Sequence, residues 1–505
     1  MFKCKQLLRR ICVVSYVFLL CGGLVNASNL VSKTNTLIGT QGNGWASGYL
    51  YPGATYPFGM VQFTPTYFTK QLGFVINQLS GAGCDHMGNF PTLPIAGALR
   101  VSPDSILNMQ TPVGKEIGTA GYYAATVDHS IRAELTVTER TGMARYTFSS
   151  KEKQGTVIIG GGVAATSIQV AAIKITGPHS CEGYAEGGAF CGIPTPYKVY
   201  FVAEFDADAE SFGTWKEERL HANHTFAEGS HSGVYFTFPL KEGNQAVQYK
   251  IGVSYVSVEN ARENLRVENP AWDFSAVRQA TQDKWNEYLG KIEVEGDNED
   301  RQMQFYTHLY RSLIHPNVCS DVNGEYMGAD SQVHKTARKF YTSFSNWDTY
   351  RTQTALIAML APEETSDIVM SHYLFAEQSG GGFPRWVLAN IETGVMQGDP
   401  TPILVANAYA FGARNYDPRT LLRTMRYGAE VPGANSQGVL TRPGLEQYLE
   451  KGYYDASILL EYTSSDFAIG RFALQACNDE PVCNWYTQRA MNWKNLFNKE
   501  TGWLQ

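Results

Sequence analysis

Residues 247–289 read VQYKIGVSYVSVENARENLRVENPAWDFSAVRQATQDKWNEYL, and the hydrophobic period changes within them. Up to Tyr255 the period is two: Val247, Tyr249, Ile251, Val253 and Tyr255 alternate with polar or small residues. That is the pattern of a strand with one buried face. From Phe274 the spacing becomes helical, with Phe274, Val277, Thr281, Trp285, Tyr288 and Leu289 on one side and Asp273 placed as an N-cap. The chain therefore passes from β to α structure here.

The same two patterns extend outward. Upstream, Ile131, Ala133, Leu135 and Val137 alternate with Arg132, Glu134, Thr136 and Thr138, and Tyr197 to Phe205 repeat the alternation. Strands of this kind between Gly, Pro and Asn turns predict a sandwich. Downstream of a short stretch, Lys291 to Glu295, helices are expected near 300–314, 349–360, 364–377, 402–413, 419–429, 456–475 and 482–497. Pro316, Pro362 and Pro432 follow three of them as stops. The predicted fold is multidomain β plus α. A β-sandwich spans 28–270, a helical linker 271–296 and an α domain 297–505.

The chain has 505 residues, 44% hydrophobic and 18% charged, with a net charge of −7. That composition belongs to a globular protein with a large core. Without a basic surplus or a Lys/Arg-rich run it excludes a nucleic-acid binder. The 25 Phe, 29 Tyr, 9 Trp and 48 Gly fit a sugar-binding surface, and equally a β-rich core with tight turns.

Residues 1–27 have the form of a secretory signal. Lys3, Lys5, Arg9 and Arg10 precede an apolar run from Ile11 to Val25, and Val25-Asn26-Ala27 resembles a cleavage site. The run is short for a membrane span, and no later stretch is long enough. A secreted or periplasmic location is expected. Cys181 and Cys191 flank an expected glycine-rich loop, and Cys477 and Cys483 flank Asn-Asp-Glu-Pro-Val. Both pairs read as local disulfides, Cys181–Cys191 and Cys477–Cys483, with Cys84 and Cys319 unpaired.

Several motifs bear on chemistry. Gly160 to Ala165 matches GxGxxA, but Ile168, Val170 and Ala172 then alternate as a strand, where a dinucleotide fingerprint needs a helix. A glycine bend inside a sheet explains the segment. Tyr51 to Gln62, dense in aromatics and turn residues, fits either a pocket mouth or a packed loop. Phe344 to Arg351 opens a helix in which Trp347 offers a flat apolar face, and Asp348 and Arg351 share a side. A favourable Asp at the helix dipole is the plain alternative. Loops carrying Trp386, Arg385 and Glu392 follow. Asp330, Asp348, Glu392, Asp399, Glu461 and Asp466 are the carboxylates available for acid–base work.

Five segments in order carry a resemblance: Tyr51–Gln62, Ser80-Gly81-Ala82-Gly83, Trp347-Asp348-Thr349-Tyr350-Arg351, Glu392-Thr393 with Met396, and Leu460-Glu461-Tyr462 with Asp466. Together they resemble glycoside hydrolase family 92, whose members are exo-acting, calcium-dependent α-mannosidases. The resemblance implies a β-sandwich packed on an (α/α)6 barrel, with an active site between them. It implies inverting hydrolysis, in which a glutamic acid protonates the leaving oxygen and an aspartate activates water. Such pairs stand about 6.5–9.5 Å apart. It also implies a calcium ion on the sugar hydroxyls.

The family's Thr-Glu-Gly-Asn and Gly-Asn-Asp-Asp strings, which carry acid and base, do not occur here. The catalytic pair and most calcium ligands are thus expected beyond residue 505, and the barrel to be truncated to about half. What carries over is the substrate side: Trp347, Asp348, Arg351, Trp386 and Glu392, with Trp45 toward the leaving sugar. The expected partners are mannose-containing glycans. A non-catalytic mannose-binding protein and a decayed gene product that never folds stably are the other readings.

Overall fold

A computed structural model describes residues 29–40, 49–66, 73–104, 113–242 and 245–504. The signal-like segment 1–27 and Trp45 lie outside them. Two antiparallel sheets form the first half. One has eight strands in the spatial order Ala54–Thr55, Gln62–Pro65, Phe74–Val75, Thr92–Ala96, Gln154–Gly160, Ser232–Pro239, Ser211–Lys216 and Arg219–Ala222. The other has nine: Phe226–Glu228, Ile168–Gly177, Ser180–Phe190, Ile193–Phe205, Ala246–Ser254, Thr141–Thr147, Ile131–Val137, Tyr122–Val127 and Val113–Thr119. The alternating residues read from the sequence face inward: Ile131, Ala133, Leu135, Val199, Phe201, Ala203, Phe205, Tyr249 and Ile251 are all buried in one core.

The outer face of the second sheet is covered by a helix that the hydrophobic pattern did not disclose. Val258–Glu268 is rich in Asn, Arg and Glu, and only Ala261 and Leu265 of its apolar residues reach the core, packing with Val202. Ser257 caps it by accepting from the Asn260 amide at 3.1 Å. The helix lies so close that a Cβ on Gly252 would sit 2.3 Å from the Ala261 carbonyl oxygen. The next helix, Phe274–Leu289, has the expected Asp273 cap. It crosses from sandwich to helical half, with the Trp285 indole donating to the Thr55 carbonyl at 2.7 Å.

The helices Glu299–Ser312, Pro362–Ser379, Thr401–Ala410, Pro418–Glu430, Ala456–Cys477 and Glu480–Ala490 then follow close to their expected positions. The helix expected at 349–360 is broken in two, Asn346–Thr349 and Gln353–Leu360, because Thr352 leaves helical geometry. A short helix, Leu445–Lys451, stands between Gly444 and Gly452, both left-handed. No described helix is long and apolar enough to cross a membrane.

The seam between the halves is continuous core. Cys319, Tyr326, Phe340, Trp386, Leu388 and Ala389 of the second half share one hydrophobic cluster with the sandwich. Buried polar bonds fix the register. Asp321 accepts from Ser254 Oγ at 2.7 Å, Asn260 Nδ2 at 2.9 Å and Asn264 Nδ2 at 2.6 Å. Arg140 pairs with Glu139 and Glu268 and donates to the Ser320 carbonyl. The Tyr51–Gln62 segment is a packed loop, not a pocket mouth. All but Tyr56 in it are buried, and Phe58 exchanges backbone hydrogen bonds with Leu313 and Val318.

Two expectations are corrected. The Gly160–Gly162 glycines make a bend, as expected, but the glycine-rich stretch between Cys181 and Cys191 is not a loop. It is the strand Ser180–Phe190, so the two cysteines stand at opposite ends of about 33 Å of extended chain. Cys181 points into the core as a free thiol, and Cys191 bonds Cys84 instead. Cys477 and Cys483 are also free. They end one helix and begin the next, and the Cys483 thiol faces Thr487 along its own helix. A non-reducing peptide map should therefore join Cys84 to Cys191, and a Cys181–Cys191 or Cys477–Cys483 peptide would refute the assignment. The bond closes a loop of sequence separation 107. Replacing both of its cysteines by Ser should lower the unfolding free energy by about 4 kcal/mol.

Candidate functional site

The string Trp347–Arg351 leaves a rigid platform. Phe344–Ser345 pairs with Trp386–Leu388, which pairs with Ile391–Glu392. Asn346, next in the chain, is buried: it donates to Thr401 Oγ1 at 2.9 Å and the Pro384 carbonyl at 3.2 Å, and meets His372 Nε2 at 3.0 Å. This anchoring presents the following residues outward.

Those residues gather on one carboxylate. The Trp347 indole donates to Glu461 Oε1 at 3.0 Å, and the Tyr350 hydroxyl to Oε2 at 3.3 Å. Arg351 lies 3.4 Å from Oε1, with its guanidinium 4.2 Å from the Trp347 ring and 4.8 Å from that of Tyr350. Glu461 comes from the helix Ala456–Cys477. Gly398, at φ 78°, makes room for it, since a Cβ there would lie 2.6 Å from Glu461 Cβ. Asp348 is exposed beside this group, and one of its oxygens accepts from Ser345 Oγ. The cluster thus offers two carboxylates, an indole edge and a guanidinium to a polyhydroxylated ligand. Glu461 stood in the sequence as a candidate carboxylate and in the Leu460-Glu461-Tyr462 string, but not among the expected substrate-side residues, and its central place follows from the fold.

The other expected residues serve the interior. Trp386 is 4% exposed and stacks on Phe190 of the sandwich, ring centroids 4.2 Å apart. Glu392 is buried and accepts from the backbone amides of Arg385, Trp386 and Gly394 at 2.6, 3.2 and 2.8 Å. Burial pushes its carboxyl up. Arg385 in turn donates to the carbonyls of Gly398, Met396 and Leu440. These groups build the platform and are not presented with Trp347.

Behind Glu461 lies an ion cluster. Arg442 bridges Asp399 at 2.9 Å and Asp466 at 2.8 Å, while Arg489 and the Tyr448 hydroxyl also hold Asp466. Burial alone would raise the Asp466 carboxyl, but the two guanidiniums outweigh it and hold it below the usual range. For Asp399 burial wins over Arg442, and its carboxyl is raised. Asp330 pairs locally with His334. Of the six candidate carboxylates, only Asp348 and Glu461 belong to the outward cluster.

The sandwich contributes one loop to the same seam. The Leu79 amide donates to His86 Nε2 at 2.8 Å, and the Ser80 amide to His315 Nε2 at 3.0 Å. The His315 carbonyl takes Gln353 Nε2 at 3.0 Å, two residues beyond Arg351. The disulfide to Cys191 holds the loop from its other end. Burial pushes the His86 and His315 imidazoles down to about 4. Each must stay neutral to accept at Nε2. Among the described residues no three His, Cys, Asp or Glu side chains gather to hold a metal. No step is therefore routed through the implied calcium ion.

Comparison with known proteins adds the wider context. Residues 34–254 match the glycosyl hydrolase family 92 N-terminal domain, and residues 260–505 match the glycosyl hydrolase family 92 catalytic domain. A secreted glycosidase of Arthroderma benhamiae is 25% identical over 93% of the chain and 62% of that protein. The chain thus spans less than two thirds of the curated relative's length. The family GH92 α-mannosidase BT3965 from Bacteroides thetaiotaomicron superposes with a TM-score of 0.85 at 24% identity, over 95% of this chain and 67% of that one. The inverting family GH92 mannosidase BT2199 of the same species gives 0.83 at 25% identity, over 94% and 66%.

Two outcomes are expected. Asp466→Ala strips the buried Arg489 guanidinium of its carboxylate and leaves Arg442 with Asp399 alone, and should cost about 3–5 kcal/mol. Glu461→Gln, at a half-open site, should cost less than about 1 kcal/mol in the same urea titration. Second, with ordinary histidine near 6.5, the unfolded chain takes up protons between about pH 6.5 and 4 that the folded His86 and His315 refuse. Their contribution to stability is full above 6.5 and falls away as pH drops to 4. Nitrogen-15 histidine spectra should show both rings unprotonated at pH 5.5. Midpoints near 6.5 would contradict the buried arrangement.

Proposed function

The chain belongs to glycosyl hydrolase family 92, and on that premise we propose that it acts on terminal α-linked mannose of glycans, secreted or in the periplasm. The observation that carries the reading is the exposed Asp348 carboxylate beside Trp347, Arg351 and Glu461 at the seam. Asp348 accepts from hydroxyls of the terminal sugar. Trp347, steadied by Glu461, borders the ring. Arg351 closes one side, since its guanidinium already covers the indole. These groups bind and orient the mannose.

Hydrolysis in the family inverts the anomeric centre and needs an acid and a base flanking the bond. The two strings that carry them in the family are absent from this sequence. Glu392, Asp399 and Asp466, the other inner carboxylates, are each engaged by several donors or a guanidinium. That favours, as a second reading, mannose binding without turnover by these 505 residues. The calcium requirement is part of the proposal and has its own arm in the test.

The test is calorimetric titration of the folded chain with methyl α-mannoside, and mannose release from α-mannobioses, each with calcium and with EDTA. Binding is expected. Asp348→Ala removes a charge-assisted hydrogen bond of about 2 kcal/mol, so its affinity should be about thirty-fold weaker. A folded wild-type chain that binds no mannoside overturns the proposal. Mannose release assigns turnover to these residues, and binding without release supports the second reading.

A further inference from the structure

His372 lies directly under the start of the Trp347–Arg351 string. It projects from the helix Pro362–Ser379 and its ring is buried. One face stacks on Phe344, with ring centroids 3.7 Å apart and the planes 20° from parallel. Its Nε2 stands 3.0 Å from Asn346 Oδ1. A single imidazole thus grips both neighbours of Ser345, where the strand Phe344–Ser345 turns into the helix Asn346–Thr349. The turn has no local hold of its own. Ser345 occupies the N-cap without a side-chain cap bond, and its hydroxyl goes to Asp348 instead. The direction in which Trp347 and Asp348 leave the platform therefore rests on what holds Phe344 and Asn346 from beneath.

The protons around the ring can be placed. Thr401 Oγ1 gives its proton to the Pro384 carbonyl at 2.5 Å. Its oxygen can then only accept, so Asn346 presents Nδ2 to it at 2.9 Å and Oδ1 to His372. Among the described residues nothing else bonds that Oδ1. The other ring nitrogen, Nδ1, lies 2.8 Å from the Ile368 carbonyl, which already takes the His372 amide within the helix. Burial pushes the imidazole down to about 4, so at pH 7 the ring is neutral and has one N–H for two oxygens. Leaving a buried oxygen without any donor is the costlier arrangement, and only Asn346 Oδ1 would be left so. The proton belongs on Nε2. His86 and His315 are the reverse, since their Nε2 atoms accept from the Leu79 and Ser80 amides.

Resting on the mannose reading above, we propose that His372 is a positioning residue of the sugar site. Its neutral ring donates from Nε2 to Asn346 Oδ1, and this bond fixes the residue from which Trp347 and Asp348 project. His372 touches no sugar itself. It acts through Asn346, by setting where the indole and the exposed carboxylate stand.

Two measurements on the full chain test this. Nitrogen-15 histidine spectra at pH 7, with the signal identified by its loss in a His372 variant, should show His372 protonated at Nε2 and bare at Nδ1, opposite to His86 and His315. The Nδ1-protonated form at His372 overturns the proposal. Methyl α-mannoside titration then compares three variants. Gln sets an amide nitrogen near the place of Nε2, Asn near that of Nδ1, and Phe keeps a ring on Phe344 without a donor. His372→Gln should bind within about two-fold of wild type, and His372→Asn and His372→Phe about five-fold more weakly, the worth of one hydrogen bond. Wild-type affinity in His372→Phe overturns the proposal. So does His372→Gln as weak as His372→Phe, which leaves only the shape of the ring, and so does rescue by Asn alone. Failure of wild type to bind any mannoside overturns the mannose reading, and the positioning role with it, while the spectrum still reports where the His372 proton sits.

Discussion

Asp321 is the buried carboxylate on which the polar contacts between the two halves of the molecule converge. Its three donors all come from the sandwich side, from the end of the last strand, Ser254, and from the helix that follows, Asn260 and Asn264. Burial pushes its carboxyl up, and the donors on both oxygens are what make the site tenable. The geometry elsewhere follows from it. Residues 317–345 rest on the sandwich core with this carboxylate as a buried polar tie beside the apolar contacts of Cys319, Tyr326 and Phe340, and those residues lead directly into the platform that presents Trp347. The arrangement at the site is therefore set some distance away, by the join between two folds.

The carboxylates of the second half divide by how completely they are engaged. Glu392 has spent its oxygens on three backbone amides, and Asp466 on two guanidiniums and a phenol. Such groups shape the backbone and offer little to a ligand. Glu461 meets its partners at 3.0 to 3.4 Å and Asp348 faces solvent, so both retain capacity to accept. This contrast, more than the count of acidic residues, locates the outward face of the domain.

Much of the fold was legible because its signals were periodic. The strand at Ile131–Val137 and the helix at Phe274–Leu289 announce themselves by which positions are apolar. The helix Val258–Glu268 did not, because it buries only two apolar side chains, Ala261 and Leu265, together with two asparagines that bind Asp321. Cysteine pairing was misread for a related reason. Glycines between Cys181 and Cys191 suggested a loop, whereas the neighbouring strands, distant in sequence, draw that stretch into a sheet. At the site, Trp347, Asp348 and Arg351 were visible as a string. Trp386 and Glu392 were visible too, but residue type alone does not tell an outward tryptophan from one stacked on Phe190. Glu461 was the reverse case: it was named as a candidate carboxylate, but its role as the hub of residues 347–351 is visible only in the fold that brings them onto it.

The Cys84–Cys191 bond joins the loop between two strands of the first sheet to the hairpin tip of the second. Elsewhere the described sheets meet through packing and a few hydrogen bonds, such as Tyr197 to Asn89 at 2.6 Å. The disulfide lies at the end nearest the seam, beside His86, Phe190 and Trp386. The sandwich is in effect a book bound along one edge. Its covalent binding sits beside the residues that face the helical half, so the spacing of the two sheets is fixed where the site depends on it.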